Sequence, residues 1–376
     1  MLAGVPVALG QFSSGSNGSD GALNLTTPGT IVFDPKTFNP ALDPDGDNIY
    51  HFTTINIGAG VTVKLRGDII NGPVFWLAQG AVTINGTIDL SGDQGHLAPS
   101  SPAERKYSTP GPGGYAGGPS GQAGLGPGGG GQTCYVQNSG WRGSPGKFTG
   151  NQFLVPLIGG SGGSGGFFWP TSALTGGGAG GGAILLASST SISVNGSIRA
   201  DGGAPGNTSE AGGGAGGAVR LVASTVSGTG SITVATTGTN SCGASGDLGI
   251  IRLEAVTFSG TLPGTRATPF NLFLPTTPTS VRVTSVAGVP VSPSPTGSFT
   301  MPDVTINSGS AVPFAIEAKN IPVGTVVTLQ VISENGADQT ANASPLAGTL
   351  ALSTATANVT LPTGFSRGFV RATWTQ

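Results

Sequence analysis

Residues 159–222 read GGSGGSGGFFWPTSALTGGGAGGGAILLASSTSISVNGSIRADGGAPGNTSEAGGGAGGAVRLV. Three glycine tracts sit in this stretch, at 159–166, 176–182 and 212–217. The second and third run straight into apolar runs, Ala183-Ile184-Leu185-Leu186-Ala187 and Ala218-Val219-Arg220-Leu221-Val222. A flexible linker has no need of glycine at a fixed place in a repeating unit. The two apolar runs lie about 35 residues apart, as do Ile198 and Ile232, a period in the range of stacked structural repeats.

The unit behind the first of these runs is Ile192-Ser193-Val194-Asn195-Gly196-Ser197-Ile198-Arg199-Ala200-Asp201-Gly202. It stands earlier as Val82-Thr83-Ile84-Asn85-Gly86-Thr87-Ile88-Asp89-Leu90-Ser91-Gly92 and later, more loosely, over residues 226–234. An apolar run at 74–78 precedes the first copy, and a last run at 249–254 precedes residues 258–262. Each copy reads as strand, turn, strand, turn, strand, with Asn-Gly supplying corners of positive φ. A single copy is too small to bury its own apolar face, so copies must stack, and parallel crossovers are right-handed by default. The expected fold is all-β, a parallel β-helix. In register, Ile88, Ile198 and Ile232 form one interior column, and Val82, Ile192 and Val226 another. Asp89 and Arg199 then meet on the outside as an ion pair of about 0–1 kcal/mol, and Arg220 and Arg252 share a solvated outer column.

For the Asp89 and Arg199 rungs to touch, residues 93–182 must leave the stack. A structureless loop of that length is improbable in a compact domain. Gly-Gly-Ser-Gly-Gly-Ser-Gly-Gly has a period of three, that of the polyproline II helix, and puts its small side chain on one edge. The segment is therefore expected to form a bundle of polyglycine-like (PPII-like) excursions beside the stack, with aromatics such as Tyr107, Tyr115 and Phe148 around it. A mobile loop is the competing reading.

Composition supports an all-β chain. Charged residues make up 9% of it, against 68 glycines without a collagen register. A net charge of −2 offers no handle on nucleic acid, and no apolar run approaches the roughly 20 residues of a membrane span. The divisions expected are an N-terminal cap or arm at 1–50, the glycine-rich β-helix at 51–262 with its insertion at 93–182, a Pro-rich connector at 263–279, and a C-terminal β-sandwich at 280–376. In that last part glycine thins and longer alternating strands appear, with Val327, Leu329 and Val331 on one face and Glu334-Asn335-Gly336 as a turn. Six or seven strands in about 100 residues fit an immunoglobulin-like sandwich, with Trp374 as a core residue.

Chemistry-bearing residues are few. Cys134 and Cys242, the only cysteines, lie in Gly/Ser/Asn-rich loops and are read as a disulfide, which implies an oxidising compartment. Asp43, Asp45 and Asp47 alternate around Gly46, like the start of a calcium loop, but Thr54 stands where a bidentate Glu would close it. The alternative is a solvated Asp/Gly turn, with no cofactor. His51 and His96 belong to no Cys/His cluster. The carboxylates on or near rungs, Asp68, Asp89, Asp93, Asp201 and Glu254, are too thin a set for the paired-acid chemistry of glycoside hydrolysis.

The segment GGGAGGGAILLASSTSISVNGSIRADGG resembles glycine-rich β-helical proteins of bacterial cell surfaces, over roughly residues 50–262. The glycine element is also similar to that of some phage adhesins and glycine-rich antifreeze proteins, and the C-terminal part resembles the immunoglobulin-like domains appended to such proteins. The resemblance implies secretion to the bacterial cell surface and a structural or adhesive role without catalysis. The leading expectation is a subunit that assembles with copies of itself into an extracellular fibre or layer. The apolar Val5, Val7 and Leu9 would add as a strand to a neighbour's edge. The alternative is an adhesin that binds glycans, ice or another surface through a flat face; a polysaccharide-active enzyme stands third.

Overall fold

The computed structural model describes residues 12–43, 46–98, 106–136, 140–168, 173–206, 210–236, 246–272, 274, 280–292, 295, 302–333 and 337–372. They are all-β, without an α-helix, and divide into two compact units, 12–272 and 274–372. The division falls inside the Pro-rich connector.

In the first unit the strands are β1 Gly21–Leu25, β2 Gly29–Val32, β3 Ile49–Ile57, β4 Val61–Lys64, β5 Val74–Ala78, β6 Val82–Ile84 and β7 Thr87–Asp89. Then come β8 Leu97–Ala98, β9 Gln132–Val136, β10 Gly140–Gly143, β11 Gly166–Phe168 and β12 Ala173–Thr175. The last are β13 Ala183–Val194, β14 Ser197–Arg199, β15 Ala218–Gly228, β16 Ser231–Thr233, β17 Ile250–Gly260 and β18 Thr265–Ala267. One parallel sheet has the order β1-β3-β5-β13-β15-β17-β18, with β6 beside β3 and β13. A second parallel sheet has the order β16-β14-β7-β4-β2. Consecutive turns of chain thus contribute adjacent strands to both sheets.

The interior columns are present in register: Ile88 pairs with Ile198 and Ile198 with Ile232, while Val82 pairs with Ile192 and Ile192 with Val226. They extend further, through Val63 and Ile31 in one sheet and through Ile55 and Leu23 in the other. Among the described residues, strands β1 and β2 form the first turn of the same stack, which begins before residue 51. Strands β5 and β13 are direct neighbours, with the whole of 93–182 between them in sequence. Phe33, Tyr50, Phe52 and Trp76 fill the early turns, with ring centroids 5.1–6.1 Å apart.

The Asn-Gly corners need glycine for a different reason from the one expected. Gly86 and Gly196 do not have positive φ, unlike Gly60 and Gly228. They are glycine because the corners stack on one another: a methyl at Gly196 would lie 1.9 Å from the Gly86 carbonyl oxygen, and one at Gly230 2.2 Å from that of Gly196.

The glycine tracts follow the same logic on a larger scale. From 176 to 182, successive N–H groups donate to three different segments in rotation. Gly176, Ala179 and Gly182 donate to His96, Asp93 and Leu90 at 2.7–3.1 Å; Gly177 and Gly180 to Gly118 and Tyr115; Gly178 and Gly181 to Gly212 and Ala215. The 159–166 tract donates back through Gly160 and Gly163, and the segment after Asp201 through Gly203 and Gly206. A period of three on every neighbour is what an extended helix of three residues per turn gives. Ser161 and Ser164, three apart, are both buried and face the same way: Ser161 Oγ accepts from Gly128 N, and Ser164 Oγ donates to the Gly131 carbonyl and accepts from Ser144 N. The tracts approach so closely that a methyl at Gly180 would be 1.8 Å from Gly160 O, and one at Gly163 2.2 Å from Gly212 O. A short antiparallel sheet, β8-β12-β11-β10-β9, completes the insertion.

The second unit has two antiparallel sheets. Its strands are β19 Ser280–Val286, β20 Val289–Pro290, β21 Ala311–Lys319, β22 Val326–Ser333, β23 Gln339–Pro345, β24 Ala347–Gly348, β25 Ser353–Thr360 and β26 Ser366–Ala372. One sheet runs β20-β19-β21-β25-β24 and the other β23-β22-β26. Phe314 and Ile316 from the first and Val327, Leu329 and Val331 from the second share one apolar cluster. Strand β23 (QTANASP) is not readable in the sequence, because only Ala343 of it is buried. Val304 and Ile306, by contrast, pack on the core without forming a strand. The Glu334-Asn335-Gly336 turn and Trp374 lie outside the described residues.

Candidate functional site

Several expected features fall where the structure says nothing. Val5, Val7, Leu9, Asp45 and Cys242 lie outside the described residues, and only the backbone of Cys134 is described, in β9. The remaining acidic residues of the candidate calcium loop hold the chain itself. Asp43 accepts from the backbone N–H of Asp47 and Asn48 at 3.0 and 2.9 Å, and Asp47 from Ile49 at 2.8 Å. Among the described residues no three His, Cys, Asp or Glu side chains are grouped to hold a metal ion. The two aspartates, with Asn17, Ser19, Asp20 and His51, line a polar cleft of about 180 Å³ beside the first turns. Asp20 accepts from the His51 N–H and so ties β3 to the chain before β1.

The carboxylates near the rungs are each taken up by a neighbour. Asp89 is the register partner of Arg199, but its ion pair is with Lys64, at 3.2 Å; Arg199 turns instead towards Asp201, at 3.7 Å. Lys64 stands on the other adjacent turn and reaches Ser91 O as well, which fixes its choice. Partial burial works to raise the Asp89 carboxyl, but hydrogen bonds from Ser91 and the Lys64 ammonium outweigh it and leave it below its ordinary pKa. Asp68 pairs with Arg66 through two bonds of 2.9 Å. Asp201 accepts from Thr233 Oγ1 and Ala235 N.

Arg220 and Arg252 do not form a solvated column. Both side chains are buried, and Glu254, 0% exposed, lies between them. Arg220 donates Nε and one terminal nitrogen to the two Glu254 oxygens at 3.0 and 3.2 Å, and Arg252 Nε donates at 2.6 Å. Phe270 N–H donates to the same carboxylate, while Arg220 also donates to the carbonyls of Asn271 and Leu272. Arg252 sits 5.3 Å from the Phe153 ring and reaches the Gln152 carbonyl. This cluster fastens both the connector and the insertion to the outside of the last turns. The apolar run "IIRLEA" hides it, because Arg and Glu two apart on an outer face read as solvated until another segment covers them.

The surface that remains consists of the two ends of the stack and its outer face. Among the described residues, the apolar side chains packed on this core but only partly buried are Leu25, Ile31 and Phe38 in the first turn, and Ile251 and Phe258 in the last. Among the described residues the cover on this core is therefore thinnest in its first and last turns. Asp20 and Asp34 stand by the first turn, and their negative field, with that of Asp43 and Asp47, adds to burial in holding the Tyr50 phenol well above its ordinary pKa. At the other end Arg266 lies over the Phe258 ring, 5.3 Å away, and donates to Gly260 O. Along the outside, small polar side chains run in register: Thr30, Thr62, Thr87, Ser197 and Ser231 in one column, and Asn24, Asn56, Thr83, Ser193, Ser227 and Ser259 in another.

Among the described residues no helix is long and apolar enough to cross a membrane. No family model matches this sequence, and neither a curated protein nor a solved structure matches the chain.

Proposed function

We propose that this chain is a secreted structural subunit of a bacterial cell surface, without catalytic activity, that assembles with copies of itself into an extracellular fibre or layer. Residues 12–272 are a parallel β-helix carrying a polyglycine bundle, and residues 274–372 a β-sandwich of immunoglobulin-like kind. The observation that carries this reading is the distribution of partly covered core residues, which among the described residues fall in the first and last turns. Apolar surface left at an exposed strand edge favours pairing with another chain. Two different ends on one subunit make a head-to-tail contact, which propagates into a filament unless it closes into a ring. Sedimentation and electron microscopy of the intact protein over a wide concentration range test this. Linear oligomers or fibres are expected, and a strict monomer throughout would overturn it.

The hydroxyl and amide columns favour a second reading, an adhesin that lays an uncharged face against a glycan or another regular surface. Strand spacing of about 4.8 Å sets their repeat. Binding of the monomer to a glycan array, lost when Thr62 and Thr87 are replaced by Lys, is its test.

A further inference from the structure

The two ends of the stack differ in charge and match in pattern. Strand β18 covers only Arg252–Glu254 of β17. On that side Ala255 to Gly260 have no partner strand among the described residues, and Val256 is 52% exposed. At the opposite edge of the same sheet stands β1. An interior column runs the whole length between them, Leu23, Ile55, Val82, Ile192, Val226 and Phe258, and beside it the exterior column from Asn24 to Ser259. Adding β1 of a second copy to β17 in parallel, with Leu23 beside Phe258 and Asn24 beside Ser259, continues both columns without a break. The preceding residues then follow the column of Phe52, Ala78, Ser188, Ala223 and Ala255, which brings Gly21 beside Ala255. Asp20 of the second copy then abuts Ala267, the end of β18, next to Arg266.

We propose that the self-assembly inferred above, on which this rests, uses this joint: β1 of one copy extends β17 of the next, and Asp20 pairs with Arg266. In the free subunit Arg266 shields the edge, stacked on Phe258 and bonded to Gly260 O. A charge over an open edge discourages pairing with unrelated strands. An acidic edge supplies the countercharge, so the lid admits the opposite end of a like subunit and rejects its own end, where two arginines would meet. The contact is therefore head-to-tail and weakens as salt rises.

The test is a charge exchange on the full chain, read by sedimentation. Arg266→Glu and Asp20→Lys are each expected to weaken association at least about tenfold, and their equimolar mixture to recover it, because both kinds of joint in the mixture are then complementary. Arg266 is exposed, so Arg266→Glu is expected to keep the wild-type circular dichroism and urea midpoint. Should Asp20→Lys fail to fold, Arg266→Glu against Arg266→Lys decides, with Lys retaining association. Assembly of wild type with undiminished assembly of Arg266→Glu overturns the joint and leaves the assembly reading standing. Absence of assembly in wild type overturns both.

Discussion

The stack and the glycine bundle share one compact unit but are held together by opposite means. In the stack, Ile, Val and Leu side chains fill the interior and the backbone pairs in two sheets. In the bundle there are almost no side chains, and segments meet backbone to backbone. Fixing a residue costs about 1–2 kcal/mol, and a net backbone hydrogen bond returns about 0.5–1.5 kcal/mol. Glycine starts from the largest conformational freedom, so a bundle of this kind does not stand alone. The tracts ending at Gly182 and Gly217 run directly into β13 and β15, and the stack supplies the stability that the bundle lacks. In the stack damage comes from removing atoms, in the bundle from adding them.

The largest effect is expected where the two regions are fastened together. Glu254→Ala leaves Arg220 and Arg252 buried without their countercharge, and breaking a buried pair in this way costs about 3–5 kcal/mol. Urea unfolding would register the loss. Hydrogen exchange should show Phe270 released as well, since its N–H loses its acceptor. Next come two changes of opposite kind. Ile198→Ala, in a fully buried column, should cost about 2–5 kcal/mol. Gly180→Ala adds the same methyl that the first change leaves behind, and it should destabilise by about 1–3 kcal/mol or more through overpacking. Equal tolerance of Gly180→Ala and an exposed substitution would break the comparison.

A smaller effect follows from Asp89. Its folded pKa lies below the unfolded value, so its contribution is present above the unfolded pKa and is lost as pH falls through the folded one. The stability difference between wild type and Asp89→Asn should therefore shrink on the acid side of about pH 4. Because the Lys64–Asp89 pair is partly exposed, the difference at neutral pH is expected to be small, near 1 kcal/mol. The smallest effect sharpens the bundle argument. Gly130 and Gly131 are neighbours, yet a methyl at Gly130 would lie 2.0 Å from Ser144 O while one at Gly131 meets nothing. Gly131→Ala should stay within about 0.5 kcal/mol of wild type, whereas Gly130→Ala should behave like Gly180→Ala.

The repeat itself was legible because burial on one face imposes a period, and a slip of one residue would turn every side chain to the other face. That is why the Ile88, Ile198 and Ile232 column could be written down from spacing, and why the length of the insertion followed from it. The period of three in the 159–166 tract was legible for a similar reason, since only one edge of each turn has room for a side chain. Arg220, Glu254 and Arg252 were not, because their burial depends on residues 152–153 and 270–272, which arrive from elsewhere in the chain. The choice of Lys64 over Arg199 by Asp89 was equally hidden, since register offers both neighbours and only side-chain reach selects one. The sequence by itself determined the all-β class, the strand columns and the recurrence of glycine at fixed places in the repeat. Tertiary structure alone decided which segments cover the outer charges, which tracts lie against one another, and which glycines have no room for a methyl, because those depend on contacts between parts of the chain that share no local pattern.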